Sequence, residues 1–238
     1  MNLWDQKAKT YARYSKDLNE IQKQSFEIFK DLGIKFEDKT LIDIGCGTGV
    51  WTLHLAFLAK EVLALDSSLS MLEILSMDSQ NLGLTNVKTT HLQFDDFILQ
   101  NPKARFDIAF LSMSPSLQST KDFEAFISLA DIKIYLGWAK FRQSDFLAPI
   151  FKHFNVKPKK VPYEKKFQDF LDEKNIPYKS FIFDEKRIVK RSKEEALQNA
   201  LWHLKMSDIN ADEKELSKLI KTEVTETISS KIKLLILS

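Results

Sequence analysis

The sequence predicts a doubly wound α/β fold. Three observations point to it: short apolar runs that read as buried strands, helical segments between them, and a glycine-rich turn straight after the first strand. Strands that alternate with helices need right-handed crossovers, which give a mostly parallel sheet covered on both faces. About seven strands are expected, with helices at the N-terminus and a helical insertion after strand 5.

The elements follow in order. Over 10–32, Tyr11, Tyr14, Leu18, Ile21, Phe26 and Phe29 recur at largely helical intervals, and Gly33 offers a stop. The run LIDI at 41–44 is a buried strand, and VWTLHLAFLAK after the glycines has helical length. A second strand, VLALD, ends at Asp66. The following helix can be capped by Ser68 or Ser70 and ended by Gly83. NVKTTHL, FDIAFL and DIKIYLGW supply three further strands. The turn-like SMSPS and the helix TKDFEAFISLA lie between the last two.

The rhythm breaks after Trp138. Residues 141–178 read as an insertion of two helices joined by NVKPKKVPY, whose lysines suit a solvated surface or, as the rarer case, an anionic substrate or RNA. The pattern then resumes with SFIFDEKRIVKR as a strand or hairpin arm, helices over 193–206 and 212–225, and a terminal strand KIKLLIL. No repeat or Gly/Ser-rich linker marks a boundary, so 1–238 is expected to be a single domain. Residues 1–36 would form an N-terminal helical lid, and 141–178 a possible substrate cover.

Composition bounds the function. The chain is 44% hydrophobic and 29% charged, with 18 Phe against 6 Gly, which excludes disorder. A formal charge of +2 gives no global field for nucleic acid or a membrane surface. The lone Cys46 excludes an intrachain disulfide framework and suits a reducing compartment. With a charged start and no apolar run near the roughly 20 residues of a spanning helix, a cytoplasmic protein without a membrane partner is expected. His54, His91, His153 and His203 show no metal spacing, so packing or surface roles are expected and no metal.

The stretch LIDIGCGTG carries the chemistry. In an open parallel sheet a ligand sits beyond the carboxyl ends of the strands, where bare backbone lets it approach. Gly45 can take the exit from the strand, Gly47 leaves room for a ligand, and Gly49 allows close packing as the next helix begins. The dinucleotide fingerprint is G-x-G-x-x-G, whereas here the glycines run G-x-G-x-G with Val50 next. Asp43 also disfavours a pyrophosphate. A cationic ligand fits better. S-adenosylmethionine has a sulfonium and an ammonium for Asp43 to favour, directly or through water, and ribose hydroxyls for Asp66.

Through LIDIGCGTG and LALD the sequence resembles the class I S-adenosylmethionine-dependent methyltransferases, with elements in family order from about residue 39 to 138. The resemblance implies a Rossmann-like methyltransferase fold and S-adenosyl-L-methionine as cofactor, held by Asp43, Gly45, Cys46, Gly47, Gly49, Asp66, Ser67 and Met71. Cys46 would serve as a small structural side chain in that loop rather than a nucleophile. The family's usual third-strand acid falls on Gln93, with Phe94 as a stacking neighbour. A glutamine carbonyl accepts the adenine amino proton as a carboxylate does, so Gln93 and Asp95 remain rivals. Ser112 and Ser114 of SMSPS would line the methyl-transfer side. Tyr11, with Tyr14, either covers the cofactor or faces the core.

SMSPS is not the N-P-P-Y or D-P-P-Y loop of nucleobase amino methylation, and Cys46 is in no Pro-Cys motif. No metal-binding acid set suggests a catechol-type mechanism. The expected activity is therefore in-line methyl transfer to a small-molecule acceptor, with no catalytic residue identified and RNA as the runner-up acceptor. The other readings are a nicotinamide-dependent oxidoreductase and a non-catalytic methyltransferase-like binding protein.

Overall fold

The computed structural model describes residues 3–156, 163–220 and 223–238. The element order is α1 (Leu3–Ala8), α2 (Glu20–Asp31), β1 (Thr40–Ile44), α3 (Thr52–Ala56), β2 (Glu61–Asp66), α4 (Leu69–Asn81), β3 (Val87–His91), α5 (Phe94–Gln100) and β4 (Phe106–Ser112). It continues with α6 (Thr120–Ser128), β5 (Ala130–Ser144), α7 (Leu147–His153), α8 (Tyr163–Glu173), β6 (Lys179–Arg191), α9 (Lys193–Lys205), α10 (Glu213–Leu219) and β7 (Val224–Leu237). The seven strands form one sheet in the order β3-β2-β1-β4-β5-β7-β6. The pairs β1·β2, β1·β4, β2·β3 and β4·β5 are all parallel. This is the doubly wound α/β architecture expected from the alternating runs.

The order reverses between β1 and β4, so their carboxyl ends splay apart at a topological switch point where a ligand crevice opens. Ile42 and Ile44 of β1, Leu65 of β2 and Ala109 and Leu111 of β4 lie in one core with Phe123, Phe126, Phe167 and Leu235. Strands buried on both faces explain why these runs are continuously apolar. At the opposite end of β1, Asp107 accepts from the Thr40 amide at 2.8 Å, the Thr40 hydroxyl at 2.8 Å and Lys39 Nζ at 3.0 Å. These bonds hold its carboxyl down at about 2.

The chain divides into two compact units. The first comprises 1–137, 163–182 and 233–238, and the second 138–162 and 183–232. In the second, Leu147 and Ile150 of α7 pack with Ala196, Leu197, Ala200 and Leu204 of α9 and Leu216 of α10. Its β-strand residues hold a buried acid, Glu226, which lies 2.7 Å from Arg191 Nη1 and 3.4 Å from Arg142 Nη2. Ser144 donates to it at 2.5 Å. The stretch 141–178 falls partly in each unit, because β5 runs on to Ser144 and α8 buries Phe167, Phe170 and Leu171 in the core of the first unit. Residues 157–162, which hold the lysines and prolines of NVKPKKVPY, lie outside the described residues.

Local chemistry moves several boundaries. Of the helical span expected over 10–32, only α2 is helix and 9–19 is an irregular link from α1, because Asn19 and Gln22 form a capping box that starts α2 at Glu20. The link is stapled instead to other elements: Thr48 Oγ1 donates to the Ala12 carbonyl at 2.5 Å, and the Arg13 guanidinium pairs with Asp78 on α4. Helix α5 was not expected. Phe94 and Phe97 are buried one turn apart and give it an apolar face in only seven residues.

Candidate active site

The crevice beyond β1, β2 and β4 is a cavity of about 860 Å³, within the roughly 300–1,000 Å³ of small-molecule sites. One wall is the turn after β1. The Gly45 and Cys46 amides both donate to the Leu65 carbonyl, at 2.7 and 3.1 Å, which bends the chain sharply off the strand. Gly45, Gly47 and Gly49 all have positive φ, at 69°, 56° and 85°, where a side chain is strained. A Cβ on Gly49 would meet Leu75 Cγ at 2.9 Å, so this glycine serves packing. A Cβ on Gly47 would meet nothing closer than the Tyr11 ring at 3.8 Å. Gly47 is therefore the open cradle.

Asp66 anchors the turn. Its carboxylate accepts from the Gly47 amide at 2.8 Å and from the Ser68 amide at 2.8 Å. Burial pushes its pKa up, while these amides and the Ser67 amide pull it down. A carboxylate has about four acceptor positions, so these three amides leave capacity for a ligand hydroxyl. Asp66 lies in register with His91 of β3. The His91 ring nitrogen Nε2 is 3.1 Å from the Ser67 carbonyl.

Nine of the twelve residues expected at a cofactor site line the cavity: Gly45, Gly47, Asp66, Ser67, Met71, Gln93, Phe94, Ser112 and Tyr11. Asp43, Cys46 and Gly49 do not. Asp43 is 2% exposed and accepts from Thr52 Oγ1 at 2.6 Å, so it braces β1 to α3 from behind the turn and does not line the cavity. Burial raises its carboxyl to about 7, with Asp66 adding to the shift and the Thr52 bond opposing it. The amides of the loop are held by Leu65 and Asp66, not by Asp43.

Cys46 packs with Ala64, Leu72 and Leu75. Burial and the two acids raise its thiol pKa well above the ordinary value, which disfavours a reactive thiolate. Phe94 turns most of its ring into the core, whereas Gln93 sits at the N-cap of α5 with no side-chain cap bond. Both Gln93 and Asp95 line the cavity.

The opposite wall is the loop after β4. Met113 takes a φ of 54° and its amide donates to the Leu136 carbonyl at 2.9 Å. Ser114 Oγ lies 2.7 Å from Ser116 Oγ. Ser119 and Asp122 form a capping box that starts α6. Lys121 is the single cation among the described lining residues, against the acids Asp66, Asp95, Asp96 and Asp122. The excess of acid suits a positively charged ligand.

The N-terminal segment closes the third side. Trp4 and Tyr11 line the cavity and meet edge to face, with centroids 6.3 Å apart. Asp5 holds α1 over the start of α4 by accepting from Ser68 Oγ at 2.6 Å and the Ser70 amide at 3.3 Å. Tyr14 instead stacks on His54 at 4.7 Å and lies outside the lining. Sequence reasoning missed Trp4, His91 and Lys121. His91 was accessible, because the end of the strand beside an acid-bearing strand faces the same crevice. Trp4 was not, because its position depends on the docking of Asp5.

Comparison with known proteins agrees with this geometry. Residues 41–131 match a family model described as a methyltransferase domain. An uncharacterised protein of Haemophilus influenzae is 32% identical over 100 residues, which cover 42% of this chain and 37% of that protein. The chain thus matches little more than a third of that relative's length. Among solved structures, a putative type II methyltransferase from Anaeromyxobacter dehalogenans aligns with a TM-score of 0.55 at 13% identity, covering 95% of this chain and 97% of that one. The structure described as precorrin 8W decarboxylase of Methanobacterium thermoautotrophicum aligns at 0.54 with 14% identity and 97% coverage of both chains. A putative methyltransferase from Bacillus halodurans aligns at 0.53 with 13% identity, covering 90% and 97%. These structures share the fold.

Proposed function

We propose that the protein transfers the methyl group of S-adenosyl-L-methionine to a small polar acceptor, a reading supported by the match of residues 41–131 to a methyltransferase-domain family model. The observation that carries this reading is the bare Gly47 cradle beside Asp66, at the switch point of a cavity whose lining has more acid than base. The fit is chemical as well as spatial. A cationic thioether nucleoside matches the acidic lining, whereas a diphosphate would meet Asp66 and the neighbouring acids.

In this reading Asp66 accepts a ribose hydroxyl with the acceptor capacity that the loop amides leave free. Gln93 or Asp95 takes the adenine amino group, and Gly45 and Gly47 admit the amino-acid end against the main chain. The chemistry supplied by the bound cofactor is a methyl carbon activated by the adjacent positive sulfur. The remaining work of the chain is to align the acceptor and keep water out. Trp4 and Tyr11 act as the lid, and Ser112, Ser114 and Ser116 meet the acceptor. A cavity with a lid on one side and serine hydroxyls on another suits a small polar molecule better than a folded RNA.

The test is transfer of labelled methyl from S-adenosylmethionine to a panel of small amines, alcohols and carboxylic acids, with bulk RNA alongside. Labelling of one small-molecule class is expected. Labelling of RNA alone would replace the acceptor assignment, and cofactor binding with no transfer to any class would remove the enzyme assignment.

A further inference from the structure

Strand β6 is one edge of the seven-stranded sheet, with β7 as its single neighbour in the strand order. Side chains alternate along a strand, so Ser180, Ile182, Asp184, Lys186, Ile188 and Lys190 share one face, and all six are exposed. Ile182 is 57% exposed and Ile188 66% exposed. They are the exposed large hydrophobics that fall within strands among the described residues, because the others sit on helices or loops. An edge that carries unpaired backbone groups and apolar side chains is a template for another strand.

The order of side chains on that face specifies which strand. Antiparallel pairing of β6 with the same strand of a second copy, about a two-fold axis at Glu185, sets Ile182 opposite Ile188 and Asp184 opposite Lys186. It also sets Ser180 opposite Lys190, and the two-fold axis repeats each pair. Each apolar residue meets an apolar residue and each acid meets a base, with no like charges opposed on this face. Asp184 can serve both chains. Its carboxylate is 2.8 Å from Lys231 Nζ, yet its side chain remains 79% exposed.

We propose that β6 pairs with β6 of a second copy of this chain, forming a two-fold dimer with a continuous sheet. The partner is self rather than a foreign peptide because the even-numbered face is complementary to its own reversal. On the other face Glu185 meets its own copy at the axis and Lys179 meets Arg191. There Glu185 is held by Ser230 Oγ at 2.5 Å beside Arg187, and Arg191 is 2.7 Å from Glu226. The dimer axis lies at the β6 edge, whereas the described residues that line the cavity come from positions 4–122. Dimerisation and cofactor binding are therefore separable.

Analytical ultracentrifugation of the full chain across a micromolar concentration series tests this. The wild type is expected to sediment as a dimer that dissociates on dilution. Lys186→Asp opposes Asp184 with a second acid at two symmetric places, and should raise the dimer dissociation constant about tenfold or more. The double reversal Asp184→Lys with Lys186→Asp regenerates both pairs and should restore most of the affinity, which a general loss of edge stability would not do. Ile188→Lys should leave a monomer with an unchanged unfolding temperature. A wild type that stays monomeric throughout, a dimer indifferent to Lys186→Asp, or a double reversal that fails to recover the dimer would each overturn the assignment.

Discussion

The two walls of the cavity are built in opposite ways. On the β1–β2 side almost every polar group is already committed: Gly45 and Cys46 amides to the Leu65 carbonyl, Gly47 and Ser68 amides to Asp66, and Thr52 to Asp43. On the β4 side, the Ser114 and Ser116 hydroxyls bond to one another and can turn to a ligand. The first wall is fixed before anything binds, whereas the second keeps hydroxyls that can turn; under the proposed function the first would hold the constant cofactor and the second would meet the acceptor. The walls also touch. A Cβ on Gly45 would lie 2.5 Å from Ser114 Cβ, so the glycine is what allows the serine wall to close in.

The largest effect expected on the fixed wall is a dependence on pH. Asp43 titrates at about 7 in the fold because it is buried, against 3.8 ordinarily. The native state therefore takes up the proton more readily than the unfolded chain. Its stabilising effect is complete below about pH 4 and is lost as pH rises to about 7, by an amount on the order of 4 kcal/mol. Asp43→Asn should remove that part of the slope. Denaturant titrations at a series of pH values check this, and the same slope in both proteins would mean that Asp43 is not the titrating group.

Next comes the packing glycine. Gly49→Ala combines a strained φ with a clash against Leu75 and should cost about 3 kcal/mol of unfolding free energy. Gly33 has a similar φ of 69° with open space around it, so Gly33→Ala should cost about 1 kcal/mol, from strain alone. Equal losses would show that the turn is not packed as described. Asp66→Asn should weaken S-adenosylmethionine binding by about 1–3 kcal/mol, read by calorimetry, with the protein still folded.

The smallest effect on binding belongs to the adaptable wall. Ser114→Ala should change cofactor affinity by less than about 0.5 kcal/mol, while altering KM for the acceptor. A large loss of cofactor affinity in this variant would erase the distinction between the walls.

The same contrast explains what was legible in the sequence. Asp66 and the three glycines announced themselves because a strand-end acid and positive-φ turns have few other uses, and the turn was read nearly residue by residue. Asp43 was read as a ligand contact, since nothing in LIDI tells that its side chain points toward Thr52 rather than the cavity. The serine wall gave only Ser112 and Ser114, because serine suits any turn. The link after Ala8 was read as helix from its apolar spacing, but Asn19 with Gln22 decided the start of α2. The docking of the N-terminal segment depends on side-chain pairs distant in sequence, such as Asp5 with Ser68 and Arg13 with Asp78, which periodicity does not register.

The most direct test of the central claim is calorimetric titration of the wild-type chain with S-adenosylmethionine and, separately, with NAD. One S-adenosylmethionine site per chain is expected, weakened about fivefold or more by Asp66→Asn, with no heat from NAD. Saturable NAD binding at the Gly47 cradle, or S-adenosylmethionine binding indifferent to Asp66, would contradict it.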